Sequence, residues 1–494
     1  MAKVNDKNLR WWILGTVIIG TFLGRLDGTI VNLALPKIIS SFGITVSSAG
    51  WIATAYILAN AIFVPIWGKL GDTIGRKKVY IFGFSIFILG SVLASLAWNL
   101  SSMIVFRVIQ AIAASADYPT AMAIIAVTFK EGKERAQALG IWSSSFAAAV
   151  VFGPLLGGPL IDTFGWQSVF LINLPIGIVG ILMAMRFINE STSETKTKHF
   201  DWWGALTLGG SLSALVLVLD KGLDWGWFST ASLICYFATI VLLILFIKIE
   251  QKSVEPIVDL KFFKIPAFVN TLVNNFIVFM GMMGGVFLLP IFAQTFLGYS
   301  ATESGYLFIP MAVAMMVASP LGGSFTGKVK SKYIIFISTF VAAIGLFLFT
   351  SIDPRSSAID LIIPLVIMAF GLGFGMAQRT NIIASVVDQH EIGIASSVLA
   401  LVRNISGAFG IAIFATILNN ATESNVLKIN RFSTLSSHSP QVIKEFITLV
   451  TLKADVNAYA HVFLISSIVV FIGAFYALTL KVKNERTDVV VQVE

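Results

Sequence analysis

Fourteen runs of about twenty apolar residues, each long enough to cross the hydrocarbon of a bilayer as a helix, recur along the 494-residue chain. They fall near 12–35, 48–68, 79–97, 101–128, 137–160, 169–188, 202–220, 229–249, 267–291, 303–326, 333–351, 359–379, 392–418 and 459–480. Only 12% of residues are charged and the mean hydropathy is +0.87, against about 25% charged in soluble domains. The chain therefore reads as an all-α polytopic membrane protein, with the lipid bilayer as its solvent.

Charge between the runs gives orientation. With both termini inside, 24 of the 34 Lys and Arg lie on inner segments and seven on outer ones. Arg25, Arg107 and Arg403 fall within the membrane, and Arg379 is counted on an inner segment. This asymmetry obeys the positive-inside rule and predicts a multi-pass protein of the cell membrane with cytoplasmic termini. The net charge of +8 is thus a topology signal and implies no nucleic-acid partner. The first run is too long for a secretory signal and reads as an uncleaved helix. The one cysteine, Cys235, excludes an intrachain disulfide. The four histidines show no metal-ligand spacing, no GxxxxGK[ST] occurs and no nucleophile motif appears. No metal, no cofactor and no enzymatic activity are expected, and monomer is the default state.

An internal repeat organises the runs. Leu33–Trp51, LALPKIISSFGITVSSAGW, is echoed by Leu288–Tyr306, LLPIFAQTFLGYSATESGY. A glycine seventeen residues further on, Gly68 or Gly323, then opens an inner basic loop. Runs 1–2 therefore match runs 9–10, as in transporters whose two halves enclose a midplane site. The expected organisation is a six-helix bundle over residues 1–190, two inserted helices over 191–252, and a second six-helix bundle over 253–494. Residues 419–458 form a long outer segment, either a small helical or hairpin cap or a flexible connector.

Several stretches then resemble a known family. GKLGDTIGRKK (Gly68 to Lys78) resembles the loop between helices 2 and 3 of the major facilitator superfamily. RVIQAIAA, from Arg107, resembles its helix-4 motif, and AVVFGPLLGG, Ala149 to Gly158, its antiporter motif on helix 5. LDGTIVNLALP, GWQSVFLINLPIG and the DWWG…LDKGLDWGW pair around run 7 resemble the fourteen-helix drug:proton antiporter subfamily. Ala111 and Ala149 stand where these motifs usually have Gly, which preserves a small residue. The resemblance implies the major facilitator fold, two six-helix bundles plus two inserted helices. It also implies a proton-coupled antiporter exporting drugs or other amphiphilic, often cationic compounds, its partners being a small-molecule substrate and protons. The alternative is a dedicated exporter of one metabolite, lipid-like molecule or antibiotic such as tetracycline.

The charges inside the membrane are the first candidates for function. Asp27 lies nine residues before Pro36, about 13 Å along a helix, and Arg107 six residues beyond Ser101, about 9 Å, which places both at similar depth in the outer half. A charge there costs at least about 2.5–3.5 kcal/mol, so the pair reads as a proton-coupling acid, Asp27, tuned by Arg107 rather than as a static bridge. The resemblance implies the same roles. Arg25, about 200° around the helix from Asp27, faces elsewhere, as a packing partner or a snorkelling side chain. Asp117 is a candidate substrate site, a second proton site or an ion-pair partner of Arg403, and Arg403 is itself a candidate substrate-binding residue. Tyr56, Tyr118 and Phe146 are candidate walls of a substrate cavity, as is Trp51. Gly68, Gly71 and Gly75 permit a tight turn, and Asp72 and Arg76 are expected to pair with the opposite bundle as a conformational lock. Gly153-Pro154 bends helix 5. Ala149, Gly153 and Gly157, followed by Gly158, form a small-residue stripe that suits the seam between bundles.

Overall fold

The computed structural model describes residues 6–129, 133–192, 201–253, 256, 258, 260–325, 328–387, 392–432 and 440–480, apart from some side chains within helices. Every apolar run is helical. The first half comprises α1 (Asp6–Phe42), α2 (Val46–Ile74), α3 (Arg76–Ser95), α4 (Leu100–Ala114), α5 (Asp117–Thr128), α6 (Lys133–Phe164), α7 (Ser168–Leu171) and α8 (Asn173–Phe187). Then come α9 (Trp202–Trp225) and α10 (Thr230–Glu250). The second half comprises α11 (Pro266–Phe296), α12 (Ala301–Tyr306), α13 (Phe308–Ser324), α14 (Ser331–Leu348), α15 (Ala358–Ser385), α16 (Ile392–Phe432) and α17 (Pro440–Ala477). Among the described residues thirteen spans are long and apolar enough to cross a membrane. The fourteenth is α6, 32 residues long, whose described apolar stretch is Val151–Phe164.

Local chemistry sets the helix ends. Thr45 caps α2 by accepting from Ser48 N at 3.2 Å. Asn99–Ser102, Ser300–Glu303 and Ser357–Asp360 form capping boxes at α4, α12 and α15, each satisfying backbone N–H groups that a helix start leaves unpaired. Run 4 is not one helix. Pro119 has no N–H to give the Ser115 carbonyl and its ring crowds that carbonyl, so the span breaks at Ser115–Ala116 and restarts at Asp117. The outer segment 419–458 is helical where described, as extensions of α16 and α17, with Asn425 Nδ2 donating to Ala454 O at 3.2 Å between them. That supports the cap and not the flexible connector; residues 433–439 lie outside the described residues.

The helices form two six-span bundles. α9 and α10 pack on each other, Ser211 Oγ donating to Thr239 O at 3.1 Å. α9 also lies against α2 and α16, while α10 presents Ile234, Phe237 and Ile240 outward as lipid-facing bulk. Contacts between the bundles follow the repeat: α1 meets α11, α2 meets α16, and α6 meets α12 and α13. Shifting the span number by eight turns the second of these contacts into the third, as a pseudo-two-fold relation requires.

The cores differ between the two membrane halves. One outer cluster joins both bundles, running from Ile30, Leu33 and Ile38 through Leu288 and Phe292 to Phe414 and Phe463. In the inner half the cores are separate. Ile13, Tyr80, Ile125 and Trp142 belong to the first bundle, and Phe268, Ile383 and Leu399 to the second. The bundles thus share an outer core, continued inward by a smaller cluster of Leu58, Val216, Ala408 and Ala412, while the innermost clusters belong to one bundle or the other.

Candidate functional site

Asp27 is fully buried, and the donors that hold it come from two other helices of the first bundle, α4 and α8. Arg107 Nη1 on α4 donates to its Oδ2 at 2.6 Å. Gln110 Nε2, one turn along α4, and Asn173 Nδ2, at the start of α8, donate to its Oδ1 at 2.9 and 3.0 Å. Both amides also reach Ser91 Oγ on α3, at 2.6 and 3.1 Å. The Arg107 guanidinium lies 4.0 Å over the Tyr56 ring of α2, so Tyr56 roofs the ion pair rather than offering an open wall. Two elements besides α1, α4 and α8, thus hold the carboxylate, and α3 and α2 support their side chains through Ser91 and Tyr56. Its charge is balanced by Arg107 and it accepts three hydrogen bonds, the pairing a buried ion needs to be tolerated.

The residues that follow Asp27 on α1 carry the contact onward. Glycines of α6 pack against Thr29 and Ile30: a Cβ at Gly153 would strike Thr29, and one at Gly157 would strike Ile30. Thr29 Oγ1 also donates to Ala149 O at 3.4 Å. The small-residue stripe therefore closes against α1 of its own bundle, not across the seam. The spacing shows that a helix comes close but not which one. Gly158 and Pro154 do reach the other bundle, against Thr302 and Gly305. Leu33, six residues beyond Asp27, accepts at its carbonyl from Gln294 Nε2 of α11 at 3.0 Å. At the outer end of α6, Asp162 caps α12 of the opposite bundle. It accepts from Ala301 N at 3.1 Å, Thr302 N at 2.9 Å and Thr302 Oγ1 at 2.6 Å.

Asp117 opens α5 and accepts from Thr21 Oγ1 at 2.7 Å, while Trp142 Nε1 donates to the same hydroxyl at 2.9 Å. Its Oδ1 is buried without a hydrogen-bond partner among the described residues. No Asp117–Arg403 ion pair forms. Arg403 of α16 lies with its guanidinium 4.8 Å over the Phe279 ring of α11. Tyr118 is exposed and its ring packs 5.4 Å from that of Trp142. The side chains of Phe146 and Asp72, and the surroundings of Gly68, lie outside the described residues.

Gly75 turns α2 into α3 with φ +116°, a conformation that favours glycine, and a Cβ there would strike the Glu190 carboxylate. Glu190 accepts from Lys77 N at 3.0 Å, and Arg76 N donates to Ser191 O at 3.0 Å. These bonds tie the loop to the end of the last span of its own bundle.

Gln110, Asn173, Ser91 and Asp162 escaped the sequence reading. Gln110 follows Arg107 by one turn on the same helix face, a signal available but unused. Asn173 sits inside the quoted GWQSVFLINLPIG stretch without a role attached. Arg379, counted from sequence on an inner segment, is instead buried in α15. Its Nε donates to Asn274 Oδ1 at 2.9 Å and its Nη2 to Thr339 Oγ1 at 2.7 Å.

The family described as the Major Facilitator Superfamily matches residues 17–411. Multidrug transporter protein MdtP of Bacillus subtilis (strain 168) is 33% identical over 428 residues, 86% of this chain and 78% of that protein. Riboflavin transporter RibZ of Clostridioides difficile (strain 630) is 32% identical, covering 82% of this chain and 88% of that protein. The crystal structure of a bacterial homolog to human lysosomal transporter Spinster, inward-facing and occupied, superposes with a TM-score of 0.70 at 16% identity. It covers 95% of this chain and 96% of that one, a likeness of fold.

Proposed function

The chain belongs to the major facilitator superfamily, and from that premise we propose that it is a proton-coupled antiporter of the cell membrane. It exports drugs and other amphiphilic compounds, cationic ones among them, by alternating access, as a monomer with both termini cytoplasmic. The observation that carries this reading is the strip of α1 from Asp27 to Leu33. One end is a buried carboxylate held by Arg107, Gln110 and Asn173, the middle receives the α6 glycines, and the other end hydrogen-bonds across the outer seam.

The chemistry follows from charge. As a carboxylate, Asp27 fastens α1 to α4 and α8. Protonation removes the ionic attraction to Arg107 and occupies one acceptor lone pair, loosening that fastening about 9 Å below the seam. A proton taken from outside and released inside then exchanges for a substrate moving outward. The membrane potential supplies about 2.3 kcal/mol per charge per 100 mV. Asp117, with one buried oxygen unpartnered among the described residues, serves as a second protonation site. The inner loop of Gly68, Asp72, Gly75 and Arg76 acts as a lock that is remade in the opposite state.

Relatives named as multidrug transporters or multidrug resistance proteins support broad export. The riboflavin transporter and the tetracenomycin C resistance and export protein support the alternative, a dedicated exporter. Inside-out vesicles carrying the chain decide between them. Uphill accumulation of several unrelated compounds, collapsed by a protonophore, is expected. Accumulation of one compound alone selects the dedicated exporter, and accumulation that survives the protonophore overturns proton coupling.

A further inference from the structure

Near its inner end α1 divides into two faces. Ile13, Leu14, Thr16 and Val17 are buried in the first bundle, while Asn8, Trp11, Gly15 and Ile19, spaced by three and four residues, share the side turned away from it. With Trp12 and with Met183 of α8 they line a groove of about 370 Å³. From Asn8 to Ile19 it runs about 16 Å along the helix. Arg10, within the same stretch, pairs at 3.4 Å with Glu134 at the inner start of α6, so the groove opens at the inner leaflet.

The walls and floor are fixed in place. A Cβ at Gly15 would meet nothing within 4 Å, so the missing side chain is the open floor. Trp11 and Trp12 are 42% and 51% exposed, yet each has a ring behind it. Trp11 packs edge-on against Phe129, centroids 5.6 Å apart, and Trp12 stacks on Phe187 at 5.3 Å and 14°. Arg186 completes the inner rim. It is exposed, one turn inward of Met183 on the same face of α8, and its guanidinium lies 5.8 Å over that same Phe187 ring. Phe187 therefore joins the groove to a cation.

This face lies against the bilayer, so lipid covers it. Apolar contact alone selects no particular lipid, because acyl chains are as apolar as the helix surface; shape and charge do. Indoles at headgroup level and a basic side chain beside them, which attracts anionic headgroups, stand at one end of a long apolar groove. We propose that the groove seats an anionic phospholipid of the inner leaflet. One acyl chain lies over Gly15 between the indoles and Met183, and the phosphate meets Arg186 and Asn8. The seat spans α1 and α8, the helices that carry Asp27 and Asn173. Gly15 lies about 18 Å along α1 from Asp27, so the site is separate from the proton-coupling cluster and stands whether or not the export reading does.

The test is native mass spectrometry of the purified full-length chain in detergent, with dioleoyl phosphatidylglycerol and dioleoyl phosphatidylcholine added in equal amounts. The native chain is expected to take phosphatidylglycerol as its first bound lipid with about fivefold preference, what one basic side chain supplies at a membrane surface. Gly15→Leu fills the groove without touching the core, and should lose that first lipid while unfolding at the native temperature. Arg186→Gln should bind a lipid without headgroup preference. Lys252→Gln, at an exposed position just beyond α10, should bind as the native chain does. Unchanged first-lipid binding in Gly15→Leu overturns the seat, as does a preference that survives Arg186→Gln or falls equally in Lys252→Gln. Displacement of the lipid by tetraphenylphosphonium would make the groove a substrate site and overturns the proposal as well.

Discussion

Gly158 offers a sharp test of the closed outer seam. A methyl group there would stand 2.8 Å from Thr302 N and 3.0 Å from Ala301 O, and closer still to Thr302 Cα. These are backbone atoms at the start of α12, so no side chain can swing aside; α6 and α12 must separate. Overpacking of this kind costs about 1–3 kcal/mol. The contact crosses between bundles and exists only while the outer ends are together, so the whole cost falls on that state. Gly158→Ala should therefore raise the outward-open population roughly 5- to 150-fold relative to the closed one. Spin labels at Leu96 and Arg355, on exposed outer loops of the two bundles, report it in a Cys235→Ala background. The native chain gives mainly the shorter distance, and the variant populates a longer one. Gly345→Ala is the control. Its new methyl meets the Met368 backbone inside the second bundle, with Cα at 2.7 Å, so it lowers thermal stability without changing the label distance. An unchanged distance distribution in Gly158→Ala refutes the reasoning.

Asp162→Asn weakens the same seam by removing the charged cap of α12, worth about 0.3–1 kcal/mol at an exposed helix start, and the same labels should move apart. Burial raises the Asp162 carboxyl, but the donors of Thr302 and Ala301 and the charge of Lys37 outweigh it and hold the group below the ordinary carboxylate range. Its contribution to closure is therefore complete above the ordinary carboxylate pKa and lost as external pH falls through the lowered one; a pH-independent label distance would contradict this. Asp27→Asn leaves Arg107 buried without its counter-charge, a loss of about 3–5 kcal/mol. Asp27→Asn/Arg107→Gln recovers part of that loss, and strictly additive losses on thermal unfolding would show that the two groups do not interact. Gly75→Ala forces a side chain into a φ of +116° and against Glu190, costing about 1–3 kcal/mol. Gly71→Ala, whose methyl meets only ordinary contacts from 3.4 Å, should unfold at nearly the native temperature.

The spans were legible because the bilayer imposes one length on every helix, and loop charge then oriented them. Depth arithmetic on α1 and α4 brought Asp27 to Arg107 for the same reason: rise per residue is fixed once a helix is. Neutral partners left no such trace. Gln110, Asn173 and Ser91 are single polar residues among apolar ones, and only the folded bundle shows that both amides converge on Asp27 Oδ1 and on Ser91 Oγ. The stripe on α6 announced a close approach without naming α1, since glycine spacing describes one surface and not its mate. Residues 419–458 hid two helical extensions because charges interrupt their apolar pattern, whereas helix formation outside the bilayer does not require an unbroken one. The break before Asp117 was written in Pro119, but a hydropathy reading averages over it.

Proton release from the purified chain in weak buffer, on adding a compound it exports, measures the central claim directly. The native chain should acidify the medium as substrate binds, and Asp27→Asn should bind the same compound without releasing the protons that Asp27 carries. Undiminished release from Asp27→Asn would remove this carboxylate from the coupling mechanism.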